Sequence, residues 1–366
     1  LHGPGREDAA GAWLAEGGVA VTTYETAALL DLPEALRLAA LVVDEAHLVK
    51  NPATRRAQLV RRLGEASERV WFLTGTPMEN DVAEFRRLVE TLAPSAPLDV
   101  DALDALAGPA AFRAAVAPVY LRRNAEDVLL ELPPLVQVDQ WCAFADADAA
   151  AYRDAVQLGN FSGMRRAGFA SADPERSAKV ERLLDLVAEA RRDGRRVVVF
   201  SYFLSVLATA VEALRRSGVC PGVLGPLTGS TPPADRQRLA DALADPAGPG
   251  VLVAQIQAGG LGLNLQAASV AILCEPQLTP TAEAQAVARL HRMGQLSSVQ
   301  VHRLLLDDSV DERLLEVLDA KGALFDAFAR DSVLAEASPA AVDVSEVVLA
   351  RRLIAAEQAR LQLPLR

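Results

Sequence analysis

Short apolar runs that close on polar or glycine-rich residues, each followed by a helical period, recur along most of this chain. Val19-Ala20-Val21-Thr22-Thr23 predicts a short strand, with helical material from Tyr24 to Leu38. Leu41-Val42-Val43 predicts a buried parallel strand that stops at Asp44-Glu45, and the helix expected over Arg55–Gly64 closes on its glycine. Val70-Trp71-Phe72-Leu73 predicts another strand, ending at Thr74-Gly75-Thr76-Pro77, before a helix over Val82–Leu92. The rhythm returns later with helices over Ser177–Arg192, Leu204–Arg216, Pro233–Leu243, Ala282–His291 and Val310–Phe328. Strands over Arg196–Ser201, Gly250–Ala254, Ser269–Cys274 and Val299–Leu305 alternate with them, and Val342–Gln362 reads as a final amphipathic helix. Such alternation implies parallel sheets covered on both faces.

Residues 94–174 break the pattern, with prolines at Pro94, Pro97, Pro109, Pro118, Pro133, Pro134 and Pro174. They predict a mostly helical connector holding one strand-like segment, Val136–Phe144, and an exposed loop at Gly159–Gly168. The expected fold class is α/β, with two parallel-sheet lobes joined by a helical insert. The expected divisions are 1–93, 94–174 and 175–330, with a helical extension over 331–366.

Composition narrows this picture in three places. The 366 residues suit about two domains, and 51% hydrophobic with 23% charged residues suits full cores. No apolar run approaches the roughly 18 residues of a membrane span, so no membrane partner is expected. Cys142, Cys220 and Cys274 are widely spaced and read as reduced cytosolic thiols. A net charge of −11 argues against bulk attraction to nucleic acid but leaves room for a local basic groove. The only lysines are Lys50, Lys179 and Lys321, and none stands in the G-x-x-x-x-G-K-[ST] setting of a phosphate loop. With Leu1 in a loop-like His-Gly-Pro-Gly stretch, the expectation is a chain that starts partway through a larger protein.

The candidate chemistry gathers at strand ends, where open α/β sheets bind ligands. Asp44 is placed to hold magnesium through its waters, and Glu45 to orient or deprotonate a water attacking a γ-phosphate. An acidic cap on the next helix is the plainer alternative. Thr74-Gly75-Thr76-Pro77 lies at the same edge, as a phosphate-sensing loop or an ordinary threonine-stabilised turn. Ala258-Gly259-Gly260-Leu261-Gly262-Leu263-Asn264-Leu265 permits close approach of a phosphate or sugar, or simply a tight bend. Arg289 and Arg292, three apart and expected on one helix face, form a candidate phosphoryl clamp, or favourable charges at a helix end. Gln285, His291, Gly294 and Gln295 accompany them. Metal ligation by His47 or His291 has no cysteine or histidine partner at ligand spacing. Two arginine clusters, Arg55, Arg56, Arg61 and Arg62, then Arg191, Arg192, Arg195 and Arg196, are solvated helix surface or DNA-backbone contacts.

In kind and order, these segments closely resemble the Swi/Snf family of superfamily-two helicase-like ATPases. Asp44-Glu45-Ala46-His47 matches its DEAH box, trailed by Lys50-Asn51, and Leu73–Asn80 resembles its third motif. Leu121-Arg122-Arg123-Asn124-Ala125-Glu126-Asp127-Val128 with Leu132-Pro133-Pro134 resembles its inter-lobe signature. Phe200-Ser201, Leu227-Thr228-Gly229-Ser230 with Arg236, the Ala258–Leu265 loop and Gln285–Gln295 resemble its second-lobe motifs. The resemblance implies two RecA-like lobes, the first truncated before its phosphate loop, with ATP and magnesium between them and duplex DNA across both. It implies metal and hydrolysis roles for Asp44 and Glu45, and arginine-finger roles for Arg289 and Arg292. It also implies nucleotide-binding and coupling roles for His47, Thr74, Gly75, Thr76, Gly260, Gly262, Asn264, Gln285 and His291. Gln257, Leu278-Thr279-Pro280 and Ala288 depart from the usual pattern.

The expectation is thus a portion of a nucleic-acid-stimulated ATPase that translocates on or remodels double-stranded DNA, with a transcription or repair complex as a further partner. This chain alone is expected to be inactive for want of the phosphate loop. The alternative is a catalytically inactive remnant that binds nucleic acid or protein. Arginine-rich, alanine-rich usage hints at a GC-rich bacterial genome and a cytoplasmic, nucleoid-associated protein.

Overall fold

The computed structural model describes residues 1, 3–74, 82–92, 116–121, 132–259, 263–329 and 346–362. It divides into two compact units, Leu1–Arg122 with Ala323–Asp343, and Arg123–Gly322 with Val344–Arg366.

The first unit holds α1 (Arg6–Glu16), α2 (Tyr24–Ala27), β1 (Leu41–Val43), α3 (Arg55–Glu65), β2 (Val70–Phe72) and α4 (Val82–Leu92). β1 and β2 pair in parallel, Leu41 against Val70 through Val43 against Phe72. Thr54 Oγ1 accepts from the Ala57 amide at 3.3 Å and starts α3, whose Ala57 and Val60 face Val43, Ala46, Val49 and Leu88 in one core. Strand alternation sends Val42 and Trp71 to the opposite face, where they are 57% and 48% exposed. The expected two-sided cover is therefore one-sided among the described residues. Val19–Thr23 joins no ladder; it is held by the Leu1 amino group on Val21 O and by Thr22 Oγ1 on Leu1 O. The helix expected to Leu38 stops at Ala27, and Pro33, with no N–H to give and a bias against helical conformation at Leu32, keeps it from resuming.

The second unit begins with β3 (Leu135–Cys142), α5 (Asp146–Gln157), α6 (Phe161–Arg166), α7 (Ala178–Arg192), β4 (Val197–Ser201) and α8 (Leu204–Ser217). It continues through β5 (Leu224–Leu227), α9 (Pro233–Ala244), β6 (Val251–Gln255), α10 (Ile256–Gly259), β7 (Val270–Leu273) and α11 (Pro280–Val287). β8 (Val299–Leu306), α12 (Val310–Ala329) and α13 (Glu346–Arg360) complete it. Six parallel strands run in the order β3-β8-β7-β4-β6-β5. Alternation in β4 shows why this sheet is covered on both faces. Val197 and Val199 enter a core with Leu183, Leu207 and Leu214, while Val198 and Phe200 enter another with Leu243, Ala286 and Leu290. From β4 the chain runs out to the edge strand β5, returns to β6 beside β4, then crosses to β7 on the other flank of β4. The C-terminal ends of β4, β6 and β7 thus frame the switch point where such sheets form a crevice.

One expectation for the connector is met and one is corrected. The strand expected at Val136–Phe144 is β3, the edge strand beside β8, so the second unit takes in its chain well before residue 175. The loop expected at Gly159–Gly168 is α6 and a 3-10 turn, with Met164 and Ala167 buried against Tyr152 and Val156. Asn160 Oδ1 accepts from the Gly163 amide at 2.9 Å and caps α6. The glycines there serve close packing: a Cβ on Gly168 would stand 2.7 Å from Lys179 Cδ. β5 escaped the sequence reading because Gly225-Pro226 interrupts it, which its place at the sheet edge tolerates.

Candidate functional site

In the first unit the site is the turn that ends β1. Leu73 N donates to Val43 O at 2.8 Å and Ala46 N to Leu73 O at 2.9 Å, so the β2 end grips the chain on both sides of Asp44-Glu45. Glu45 is forced to φ 49° and ψ 48°, a left-handed conformation rare for glutamate, which costs about 1–3 kcal/mol where surroundings impose it. Such strain turns the carboxylate off the strand direction. Asp44 is exposed, with Oδ1 accepting from the Glu45 amide at 2.9 Å and its carbonyl accepting from Tyr24 OH at 2.6 Å. Burial, then the Asp44 charge, pushes the Tyr24 hydroxyl up to about 12, so it stays a donor at neutral pH. His47 Nδ1 stands 3.3 Å from Glu45 Oε2, out of hydrogen-bond alignment, and 3.4 Å from Thr74 Oγ1. The imidazole thus bridges the acidic turn and the loop after β2. A cavity opens beside them, with Asp44, Glu45 and Thr74 on its wall and Phe72, Phe85 and Leu88 beneath. Gly75 and Thr76 lie outside the described residues.

In the second unit the two arginines do not share a helix face. α11 ends at Val287, and Arg289 and Arg292 sit on the turns that follow. Leu265 N donates to the Arg289 carbonyl at 3.1 Å, so that carbonyl is engaged by the neighbouring loop instead of another helical turn. Gln295 locks the same turn from inside. Its Nε2 lies within reach of Gln266 O at 3.0 Å, Ala268 O at 3.1 Å and Leu290 O at 3.0 Å. Gln295→Ala strands these carbonyls and should cost about 2 kcal/mol, read as a lower denaturant midpoint at unchanged slope. His291 Nε2 donates to Pro133 O at 2.7 Å, which makes it a tether. Asn264 closes the glycine-rich loop on Gln266, accepting from its amide at 3.1 Å, while Gly260 and Gly262 fall outside the described residues. Gln285 is half-buried on α11.

Sequence reading missed the polar groups at the C-terminal ends of β4 and β7. Glu275 is fully buried there and accepts from Ser201 Oγ at 2.8 Å and the Tyr202 amide at 2.7 Å. The signal was available: like Asp44, Glu275 ends an apolar run at the strand's functional edge. The arginine cluster around Gly194 belongs elsewhere. Arg191 donates to Pro249 O at 2.9 Å, and Arg195 to Ser269 Oγ and Ser298 O, stapling the opposite edge of the sheet. Arg56 pairs with Glu25 at 2.7 Å.

Residues 4–195 match the SNF2-related domain, and residues 178–294 match the helicase conserved C-terminal domain. The chain belongs to the SNF2-related family. This SNF2-related chain is 28% identical over 325 residues to the mouse SWI/SNF-related matrix-associated actin-dependent regulator of chromatin subfamily A member 1, covering 77% of this chain and 31% of that protein. It is 27% identical to the ISWI chromatin-remodeling complex ATPase ISW1 of Saccharomyces cerevisiae, over 75% of this chain and 28% of that one. It therefore spans less than a third of these relatives. In fold it resembles the C-terminal part of the Fun30 ATPase domain, with a TM-score of 0.51 and 18% identity over 63% of this chain and 99% of that one.

Proposed function

We propose that this SNF2-related chain is the hydrolysis and coupling portion of an ATPase that moves on or remodels double-stranded DNA. The observation that carries the reading is the Asp44–Glu45 turn, strained at Glu45 and bridged through His47 to Thr74. Strain held at a sheet edge by paired backbone on both sides suits a group that must aim at a reacting water. Asp44 fits a magnesium ion, since it is exposed at the edge and, among the described residues, only its Oδ1 is engaged, by the Glu45 amide. Bound there, magnesium would neutralise charge on the phosphates. Glu45 would hold and deprotonate the attacking water, and His47 would report the state of the turn to Thr74. Arg289 and Arg292, presented on a braced turn, would balance charge on the transferring phosphoryl group. The triphosphate grip is not matched by the residues present: Lys179 is spent in a buried ion pair, and no lysine stands in a phosphate loop.

The test is ATP turnover by the protein at the length its source cells make, with and without duplex DNA. Duplex should stimulate turnover, and duplex affinity should fall steeply with salt. Four or more phosphate contacts lose about a hundredfold in affinity between about 50 and 200 mM salt. Absent turnover, or an affinity flat with salt, would sink the reading. A native protein without a phosphate-loop lysine would instead favour a second reading, an inactive module that binds nucleic acid or protein. An intact mass near 38.9 kDa for the native protein would support that second reading.

A further inference from the structure

A polar chain, buried at its centre, extends from Glu275 to Glu283 and Arg303. Gln277 Nε2 donates to Glu275 O at 3.0 Å and Oε1 at 3.2 Å. The Gln277 amide donates to Glu283 Oε1 at 2.9 Å, and Glu283 Oε2 accepts from Arg303 at 2.8 Å. Arg303, on β8, also lies 3.5 Å from Asp139 on β3. At the far end Gln255 donates to Tyr202 O at 3.3 Å and accepts from the Gly229 amide at 3.2 Å. Arg165, stacked over Phe203, props the intervening turn by donating to Pro276 O at 2.8 Å.

Glu283 is 7% exposed and Glu275 is 0% exposed. Burial raises both carboxyls above their ordinary range, against the pull of Arg303 on Glu283 and of the Tyr202 amide and Arg165 on Glu275. Apolar residues of similar volume would often fill such a place at lower cost. What an apolar contact lacks is direction. α11 needs direction, because its eight residues are too few to hold a helix unaided, and Ala286, Val287 and Leu290 fix its depth but not its tilt. Glu283 lies four positions before the end of α11 at Val287, roughly 6 Å of helical rise, so a tilt of about 10° at Glu283 moves the helix end and the turn it carries by roughly 1 Å.

We propose that Glu283 is a positioning residue: clasped by Arg303 and the Gln277 amide, it sets the tilt of α11 and so the placement of Arg289 and Arg292. This rests on the ATPase reading of those arginines. The test uses Glu283→Gln, which keeps shape and loses charge, with Arg303→Lys as a second variant should the first fail to fold. In the native-length protein, kcat for ATP should drop about ten- to a hundredfold, the scale of a 1 Å misplacement. KM for ATP and duplex affinity should stay within about twofold, as when an interaction acts only in the transition state. In the 366-residue chain, amide exchange over 282–290 should speed about tenfold while β4 and β6 amides stay protected. Unchanged exchange overturns the proposal, and so does a loss carried wholly by KM. Should the wild-type protein show no turnover, the ATPase reading falls, and the exchange result alone decides whether Glu283 anchors α11.

Discussion

Glu45→Gln is expected to lower ATP turnover of the native-length protein about a thousandfold while leaving nucleotide affinity within about twofold. Glutamine matches glutamate in size and keeps a carbonyl oxygen near His47, so the turn between β1 and the Ala46–Val49 helix should hold its shape. Only the charge that would accept a proton is removed. The grip of Leu73 on both sides of the turn means that backbone pairing, rather than the carboxylate, enforces the left-handed conformation of residue 45. Single-turnover hydrolysis beside equilibrium binding of a fluorescent nucleotide separates the two effects. Turnover near wild type would remove Glu45 from the chemistry, and an equal loss of binding would make it a structural acid.

Lys179→Met is expected to destabilise the second unit by about 3–5 kcal/mol, the scale of breaking a buried pair from one side. The Lys179 side chain is fully buried, its Nζ 2.8 Å from Asp311 Oδ2 and 3.4 Å from Cys274 O. The same Asp311 oxygen accepts from the Leu306 amide at 3.0 Å, so the pair joins α7 to the end of β8 and the start of α12. Methionine would fill the space along Gly168 but leave Asp311 charged and buried. Lys179→Met with Asp311→Asn should recover at least half of the loss, because asparagine still accepts from Leu306 and carries no charge. Urea unfolding of the single and double variants measures this. Equal losses in both would mean that the lysine stem, and not its charge, does the stabilising.

Where burial was uniform the sequence could be read closely. β4, β6 and β7 are apolar on both faces and were located to within a residue or two, since continuous apolar runs ended by glycine or polar residues leave few alternatives. Val19–Thr23 looked like a strand on the same grounds and is not one, because strand formation needs a partner that a local pattern does not carry. α6 was hidden by Gly159, Gly163 and Gly168, two of which allow close packing rather than a bend. At the site, Asp44, Glu45, His47 and Thr74 were expected at one edge and are found there. Arg289 and Arg292 were expected on a helix and are found on turns, because the competing hydrogen bond comes from Leu265, a residue distant in the reading frame of helical periodicity. Glu283 and Arg303, twenty positions apart, could be paired only once β8 was known to lie beside β7.

The hydrogen bond from His291 to Pro133 has a mechanical consequence. A carbonyl only accepts, so the imidazole keeps its proton on Nε2, and the link is a latch of fixed polarity. Pro133 lies just ahead of β3, where the chain enters the sheet. Tension applied to the polypeptide from that side reaches the arginine turn through this bond, loaded together with the Val299 amide on Pro134 O, before any of the eight β3–β8 residue pairs has to slip. The latch therefore shares the first load with the start of the ladder, and it passes part of any pull on β3 to the arginine turn.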